Sequence, residues 1–304
     1  MAGFLVRIFL GLNLGLIVDG LESSWSYNKQ APDGPSTWPE LCRTGDKQSP
    51  INLPRSGLEK VVMSPLVLEN YDIAPEYMEI LNTGYTATLT FKPFKESAAP
   101  RISGGGLGAK YKLSQLYFHW GATDATGSEH TRSYARFPLE MHLLHVKESS
   151  ERLKDPVEDS LAVLAVQFKM QLNGNPALDR LLDALLHIQE YQHKQEILSF
   201  PLDLILPDDV SGFYRYNGSL TSPPCHQIVT WSVIQDTVDI SLEQLELFRL
   251  LKMKNGESLV ENYREIQNIG DRRVLHVFTV SGSSKLDLLH LTFMLVLCST
   301  NLEK

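Results

Sequence analysis

Hydrophobic positions in this chain come in short runs, and most have the length and spacing of strands. Runs with strand character are VVMSPLVLE (61–69), YTATLTF (85–91), KYKLSQLYFHW (110–120), FPLEMHLLHV (137–146), LAVLAVQFKMQL (161–172) and HQIVTWSVI (226–234). Between residues 85 and 91 the order Tyr, Thr, Ala, Thr, Leu, Thr, Phe is close to period two, as a half-buried strand requires. The continuously apolar 161–166 predicts a central strand buried on both faces. Helical spacing stands out in two places. Pro176 suits a first helical position and is followed by Leu178, Leu181, Leu182, Leu185 and Leu186. Ser241-Leu-Glu-Gln244 is a capping box, and Asn255-Gly256 is the predicted stop. No repeat with a period of about 20–50 residues recurs, and no low-complexity linker divides 25–278. Many strands and few helices predict one large, β-dominated α+β domain built on one sheet.

The two ends have a different character. Arg7 precedes the apolar run IFLGLNLGLIV, and polar residues return at Asp19. That is the shape of a secretory signal peptide over 1–20, because the apolar core falls short of the about 20 residues that span a bilayer. The mature chain is expected to start within 19–25. At the other end, the small residues Ser281-Gly282-Ser283-Ser284 precede the mostly apolar Leu286–Cys298. The segment 281–304 has two readings. One is a cleaved lipid-anchor signal that attaches the protein to a membrane. The other is an unstructured or surface-packed tail, favoured by a short spacer and the polar end Asn301-Leu302-Glu303-Lys304. As a transmembrane helix the segment is too short, and it carries Asp287 and His290.

Composition narrows the class. Of 304 residues, 43% are hydrophobic and 21% charged, as in soluble globular proteins. The net charge of −8 and a pI near 5.6 argue against nucleic acid or an anionic membrane as a general partner. Three cysteines are present, and only Cys42 and Cys225 lie inside the expected body. They form either one disulfide, the form suited to an exported protein, or two buried thiols.

The histidines are the informative residues. Four of nine, His119, His130, His142 and His145, fall between positions 119 and 145. Strand side chains two apart face the same way, so Tyr117 shares a face with His119, and Glu140 with His142. Adjacent strands would bring His119 and His142 together. Two imidazoles plus one more ligand make a zinc site with an open fourth position.

In these segments the chain resembles the α-class carbonic anhydrases from about Trp25 to Phe278. The resemblance rests on Trp25-Ser-Tyr27, QSPIN (48–52), LNTGY (81–85), QLYFHWG (115–121), GSEHT (127–131), EMHLLHV (140–146), LAVL (161–164), YNGSLTSPP (216–224), VTW (229–231) and NYR (262–264), in family order. It implies a large, mostly antiparallel central sheet, zinc as cofactor, carbon dioxide and bicarbonate as substrates, and a Cys42–Cys225 disulfide. It further implies that Thr221 orients the reacting hydroxide with Glu129 as its acidic partner. Gln115 and Glu140 would orient the first and third metal ligands, and Leu144, Val163, Leu220 and Trp231 would form the apolar wall of the substrate pocket. His130 and His145 match positions that do not bind metal.

Two positions depart from the family pattern. The family's three zinc ligands are histidines; His119 and His142 match the second and third, but Tyr117 stands at the first. A phenol has a reference pKa near 10, so its deprotonation at pH 7 costs about 4 kcal/mol before metal attraction offsets it. Its oxygen also reaches roughly 2 Å further from the backbone than an imidazole nitrogen, about one Zn–N bond length. Tyr117 therefore reads as a plug in the place of the metal. Tyr85 stands where the fastest members carry a proton-shuttling histidine, and a phenol is a poor relay near neutral pH. Asn217-Gly-Ser219 forms a glycosylation pattern inside the pocket-forming YNGSLT segment, where it is expected to stay unmodified.

Three functions follow as expectations. The first is a secreted carbonic-anhydrase-like protein with little or no activity. The second is a working zinc enzyme in which water, tyrosinate or a shifted side chain completes the site. The third is an extracellular binding or matrix module.

Overall fold

The apolar runs fold as strands of one sheet whose two faces are both covered. The structure, a computed structural model, describes residues 25–150 and 157–279, so the expected signal peptide and tail lie outside the described residues. Ten strands form the main path of a thirteen-stranded sheet. They are β1 (Glu59–Met63), β2 (Tyr77–Asn82), β3 (Ala87–Lys92), β4 (Tyr111–Trp120), β5 (Leu139–Lys147), β6 (Leu161–Met170), β7 (Lys194–Ile197), β8 (Gly212–Gly218), β9 (Val229–Ile234) and β10 (Leu275–Thr279). Across the sheet the order is β7-β2-β3-β4-β5-β6-β9-β8-β10-β1. Along this path neighbours run antiparallel, except that β6 is parallel to β9 and β10 to β1. The helices α1 (Glu40–Thr44), α2 (Asp179–Leu185) and α3 (Leu242–Arg249) are short.

β6 is buried over its first eight residues, as its unbroken apolar run predicts. Its even-numbered residues Ala162, Leu164, Val166 and Phe168 join one core with Leu181 and Leu185 of α2 and Leu245 and Phe248 of α3. The odd-numbered Val163 and Ala165 join a second core with Leu144 and Trp231 on the opposite face. Those two faces decide where chemistry can sit.

A bulge in β4 sets its face. Leu113 pairs with His145, but Gln115 pairs with Leu144, so Ser114 is the extra residue. Tyr111 and Leu113 enter the first core before the bulge, and Leu116, Phe118 and Trp120 do so after it. The odd-numbered residues beyond the bulge, Gln115, Tyr117 and His119, therefore turn to the other face.

Several sequence-predicted boundaries shift for physical reasons. The run 61–69 is two strands, because Ser64-Pro65 interrupts it and proline has no ladder donor. β1 pairs with β10, whereas Leu66–Glu69 pairs with Arg101–Gly104. β3 starts at Ala87 rather than Tyr85. Thr83–Thr86 forms a turn in which Gly84 has φ 79° and the Thr83 hydroxyl accepts from the Tyr85 and Thr86 N–H groups. Pro176 opens a 3-10 turn, Pro176–Leu178, that leads into α2. Leu186, expected on the buried stripe, is exposed.

The Ser241–Gln244 capping box forms on both sides: Gln244 N–H donates to the Ser241 hydroxyl at 3.3 Å and Ser241 N–H to Gln244 Oε1 at 3.2 Å. The helix it starts ends at Arg249, not at Asn255-Gly256. There the Lys252 N–H leaves for the Gln189 carbonyl, and Asn255-Gly256 makes a separate turn.

Cys42 of α1 and Cys225 are bonded, closing a separation of 183 residues. In the chain-entropy picture such a loop contributes about 5 kcal/mol at most. His145 lies on the first-core side of β5, fully buried, with Nε2 against the Tyr71 hydroxyl. Burial lowers its pKa to about 3, although backbone hydrogen bonds at Ala162 and Leu143 oppose the shift.

Two outcomes are expected. Replacing both Cys42 and Cys225 by serine should lower stability by about 2–5 kcal/mol, measured as a drop in the urea midpoint. An unchanged midpoint would mean the bridge constrains nothing. For His145 the folded pKa lies below the unfolded value of about 6.5. Its contribution is therefore constant above that value and turns destabilising as pH falls from about 6.5 towards 3, while only the unfolded chain takes up the proton. Between pH 7 and 5 this costs about 2 kcal/mol at most. A His145→Gln variant should show a flatter urea-midpoint profile over that interval; an unaltered slope would assign the acid sensitivity elsewhere.

Candidate metal centre

The register of β4 against β5 places Tyr117 opposite His142 and His119 opposite Glu140. Continuing outward, Ala165 and Gln167 of β6 pair with His142 and Glu140, and Trp231 of β9 pairs with Val163. Directly opposed residues share a face, so one face carries Tyr117, His119, Glu140, His142, Val163 and Trp231. The His119 and His142 ring centroids are 4.6 Å apart, and Tyr117 lies 5.5 and 5.4 Å from them. The pairing expected from strand alternation is therefore present.

Each site histidine has one nitrogen engaged and one free. His119 Nδ1 lies 2.7 Å from the Asn262 carbonyl, which can only accept, so Nδ1 carries a proton and Nε2 offers a lone pair. His142 Nε2 lies 2.6 Å from Glu140 Oε1, and by the same reasoning the carboxylate leaves Nδ1 as the lone-pair side of the neutral ring. Burial lowers the His142 pKa, although the Glu140 hydrogen bond opposes it, so the ring stays neutral. Both free atoms, His119 Nε2 and His142 Nδ1, are buried without a hydrogen-bond partner among the described residues, and so is Glu129 Oε2. All three lie within 4.8 Å of one another. A buried orphan of this kind costs about 1–3 kcal/mol. Two imidazole lone pairs with carboxylate oxygen, each oriented by an outer partner, is a donor set that fits a zinc ion.

The outer partners form a continuous buried network. Glu140 accepts from His142, from His130 Nδ1 at 2.7 Å and from the His130 N–H at 3.0 Å. Burial pushes its carboxyl pKa up, but the neighbouring His130 and His142 more than offset this and hold it well below the usual range. His130 Nε2 in turn meets the Tyr216 hydroxyl at 2.7 Å. His130 thus braces Glu140 and contributes no free nitrogen.

Two residues of the NYR segment supply what spacing did not reveal. Asn262 holds β4 through Oδ1, which accepts from the Trp120 N–H, while its carbonyl fixes His119. Arg264 gives its backbone N–H to Glu129 Oε1 at 2.9 Å, and its guanidinium reaches Gln48, Ser49 and the Cys42 carbonyl. Burial lowers the Arg264 pKa to about 10, yet the group stays charged at neutral pH. Their only signal in the sequence was the motif itself.

Other expected site residues are placed as follows. Leu144, Val163, Leu220 and Trp231 form one buried cluster, with Tyr117 packed against it. Trp231 also sits 4.8 Å from His142, ring centre to ring centre. Thr221 is buried, but among the described residues no hydrogen bond joins it to Glu129. Gln115 is half-buried and makes no hydrogen bond to Tyr117 or to either histidine. Tyr85 stacks on Trp25 at 4.1 Å with its planes 9° apart, and burial raises its pKa. The Tyr117 hydroxyl has no hydrogen-bond partner among the described residues; burial first, then the carboxylates of Glu129 and Glu140, push its pKa well up. Asn217 is exposed and faces a surface groove with Lys47, Gln267 and Arg272 rather than the metal centre. The ground for expecting it unmodified is thereby removed.

A eukaryotic-type carbonic anhydrase family model matches residues 33–278. Carbonic anhydrase 1 of Oryctolagus cuniculus is 36% identical over 237 residues, 76% of this chain and 98% of that protein. Carbonic anhydrase 7 of Mus musculus is 35% identical over 261 residues, covering 82% and 96% respectively. With nearly the whole sheet and both histidine-bearing strands inside the matched region, the chain belongs to the eukaryotic-type carbonic anhydrase family.

Proposed function

We propose that this chain is an exported carbonic-anhydrase-related protein in which hydration of carbon dioxide is weak or absent. The observation that carries the reading is Tyr117, which lies opposite His142 on the histidine-bearing face where the family's remaining zinc histidine is expected. In a complete site zinc supplies the positive charge that makes hydroxide available near neutral pH. His119 and His142 would hold the ion, with their tautomers set by Asn262 and Glu140. Tyr117 would not replace the missing ligand, because burial and two carboxylates oppose the ionisation that a phenol needs to bind metal. A bulky ring in that corner also fills space beside the apolar wall where carbon dioxide would bind. Tyr85 lacks a group that exchanges protons near pH 7 and is stacked on Trp25. Both changes act on the reaction, and neither disturbs the sheet.

Export is supported by the Cys42–Cys225 bridge, which persists in oxidising compartments, together with the signal-like segment 1–20. The segment 281–304 would then either be exchanged for a lipid anchor or remain as a tail.

Carbon dioxide hydration and zinc content, both measured on the secreted protein and on Tyr117→His, test the reading. The wild type should hydrate carbon dioxide slowly, and the variant should gain at least about tenfold, a barrier change of about 1.4 kcal/mol. Stoichiometric zinc together with hydration as fast as the variant's would overturn the proposal. A variant no faster than the wild type would place the defect elsewhere than at Tyr117.

A further inference from the structure

We infer that Glu129, rather than Tyr117, completes the metal-binding set, giving a site of His119 Nε2, His142 Nδ1 and Glu129 Oε2 for one divalent zinc-like cation. The inference rests on the proposed function in taking Tyr117 as no ligand, and it adds that the site still binds metal.

Distances favour it. Glu129 Oε2 lies 3.5 Å from His119 Nε2 and 4.0 Å from His142 Nδ1. Ligand atoms about 2.0–2.1 Å from a tetrahedral ion stand about 3.3 Å from each other, so these edges are already close to a coordination polyhedron. They are too long for hydrogen bonds. Three polar atoms, all buried and all without a hydrogen-bond partner among the described residues, converge on this one point. Left so, each costs about 1–3 kcal/mol, and a cation satisfies the three at once.

Orientation favours it as well. The Glu129 carboxylate is held by its other oxygen, which accepts the Arg264 N–H at 2.9 Å. That bond directs Oε2 towards the imidazoles. The role that the family resemblance implies for this carboxylate, partner to Thr221, leaves Oε2 unsatisfied, since it has no hydrogen-bond partner among the described residues. His119 and His142 are each fixed by an acceptor on their second nitrogen, so all three donors are preset. Two histidines and a glutamate form an established donor set for zinc with an open position. The second His/Glu group, His130 with Glu140 and His142, competes poorly, because its facing atoms are already hydrogen-bonded to one another.

Zinc titration of the chelator-stripped secreted protein decides the matter, followed by calorimetry and metal analysis, with cobalt(II) absorption reporting coordination. Wild type should take up one zinc per chain and give tetrahedral cobalt bands. Tyr117→Phe should bind within about threefold of wild type. Glu129→Gln keeps an acceptor for the Arg264 N–H and should fold, as circular dichroism would verify. Its zinc affinity should fall by more than the about 10–100-fold that loss of an outer partner costs. Failure of wild type to bind zinc would overturn the inference, and so would a Glu129→Gln affinity equal to wild type. Loss of binding in Tyr117→Phe would instead make the tyrosine the ligand and overturn both readings. Wild type without zinc, alongside a Tyr117→His variant that gains zinc and hydration, would overturn this inference and leave the proposed function standing.

Discussion

The pairing of β4 with β5 is the constraint on which the centre depends. Opposed residues in this antiparallel ladder share a face, so Tyr117↔His142 and His119↔Glu140 put four chemically distinct groups on one patch. A slip of β4 by one residue would send Tyr117 and His119 into the first core and bring Phe118 out, parting them from His142 and Glu140. The bulge at Ser114 is the device that reconciles the two halves of β4. Tyr111 and Leu113 stay in the first core with Leu116, Phe118 and Trp120 although Ser114 and Gln115, not a single residue, separate Leu113 from Leu116. Apolar burial on one face, about 25 cal/mol per Å², thus holds the histidines in place on the other.

Polar wiring then finishes what packing begins. Asn262 links the end of β4 to the His119 ring, and Arg264 links Glu129 to the segment around Cys42, Gln48 and Ser49. The disulfide secures that segment to Cys225, a few residues beyond Thr221. The N-terminal region, the Cys225 turn and the NYR segment are therefore one support around the sheet. Against so complete a network, unpartnered atoms are informative. Three of the six buried side-chain N/O atoms without a partner among the described residues are His119 Nε2, Glu129 Oε2 and His142 Nδ1. Those three atoms lie within 4.8 Å of one another, which is the geometry that the inferred cation site rests on.

The substitution at Tyr117 is compatible with such a network because a phenol needs little there. Its ring packs against the Leu144, Val163 and Trp231 cluster, and its hydroxyl has no hydrogen-bond partner among the described residues. The apolar wall of Leu144, Val163, Leu220 and Trp231 is buried as one cluster beside the ring. Position 117 therefore bears on the candidate metal centre more directly than on the sheet, whose β4 and β5 ladder pairs through it unbroken.

Much was legible in the sequence. Period two in β3, the apolar run of β6, the Ser241–Gln244 cap and the His119 and His142 pair each follow from local chemistry, because alternation, burial and capping are short-range properties. The motifs named the apolar wall and the tyrosine in the ligand corner. Other features were not local. The end of α3 at Arg249, the division of 61–69 into two strands and the exposure of Leu186 depend on which distant backbone or surface is available. So does the direction of Glu129. Its identity was visible in GSEHT, but its free oxygen is aimed by an N–H from Arg264, 135 residues later. Sequence alone determined that Tyr117 shares a face with His119 and Glu140 with His142, because strand alternation is local. Only the tertiary structure decided which third group meets the two histidines, because that choice is made by hydrogen bonds between segments far apart in the chain.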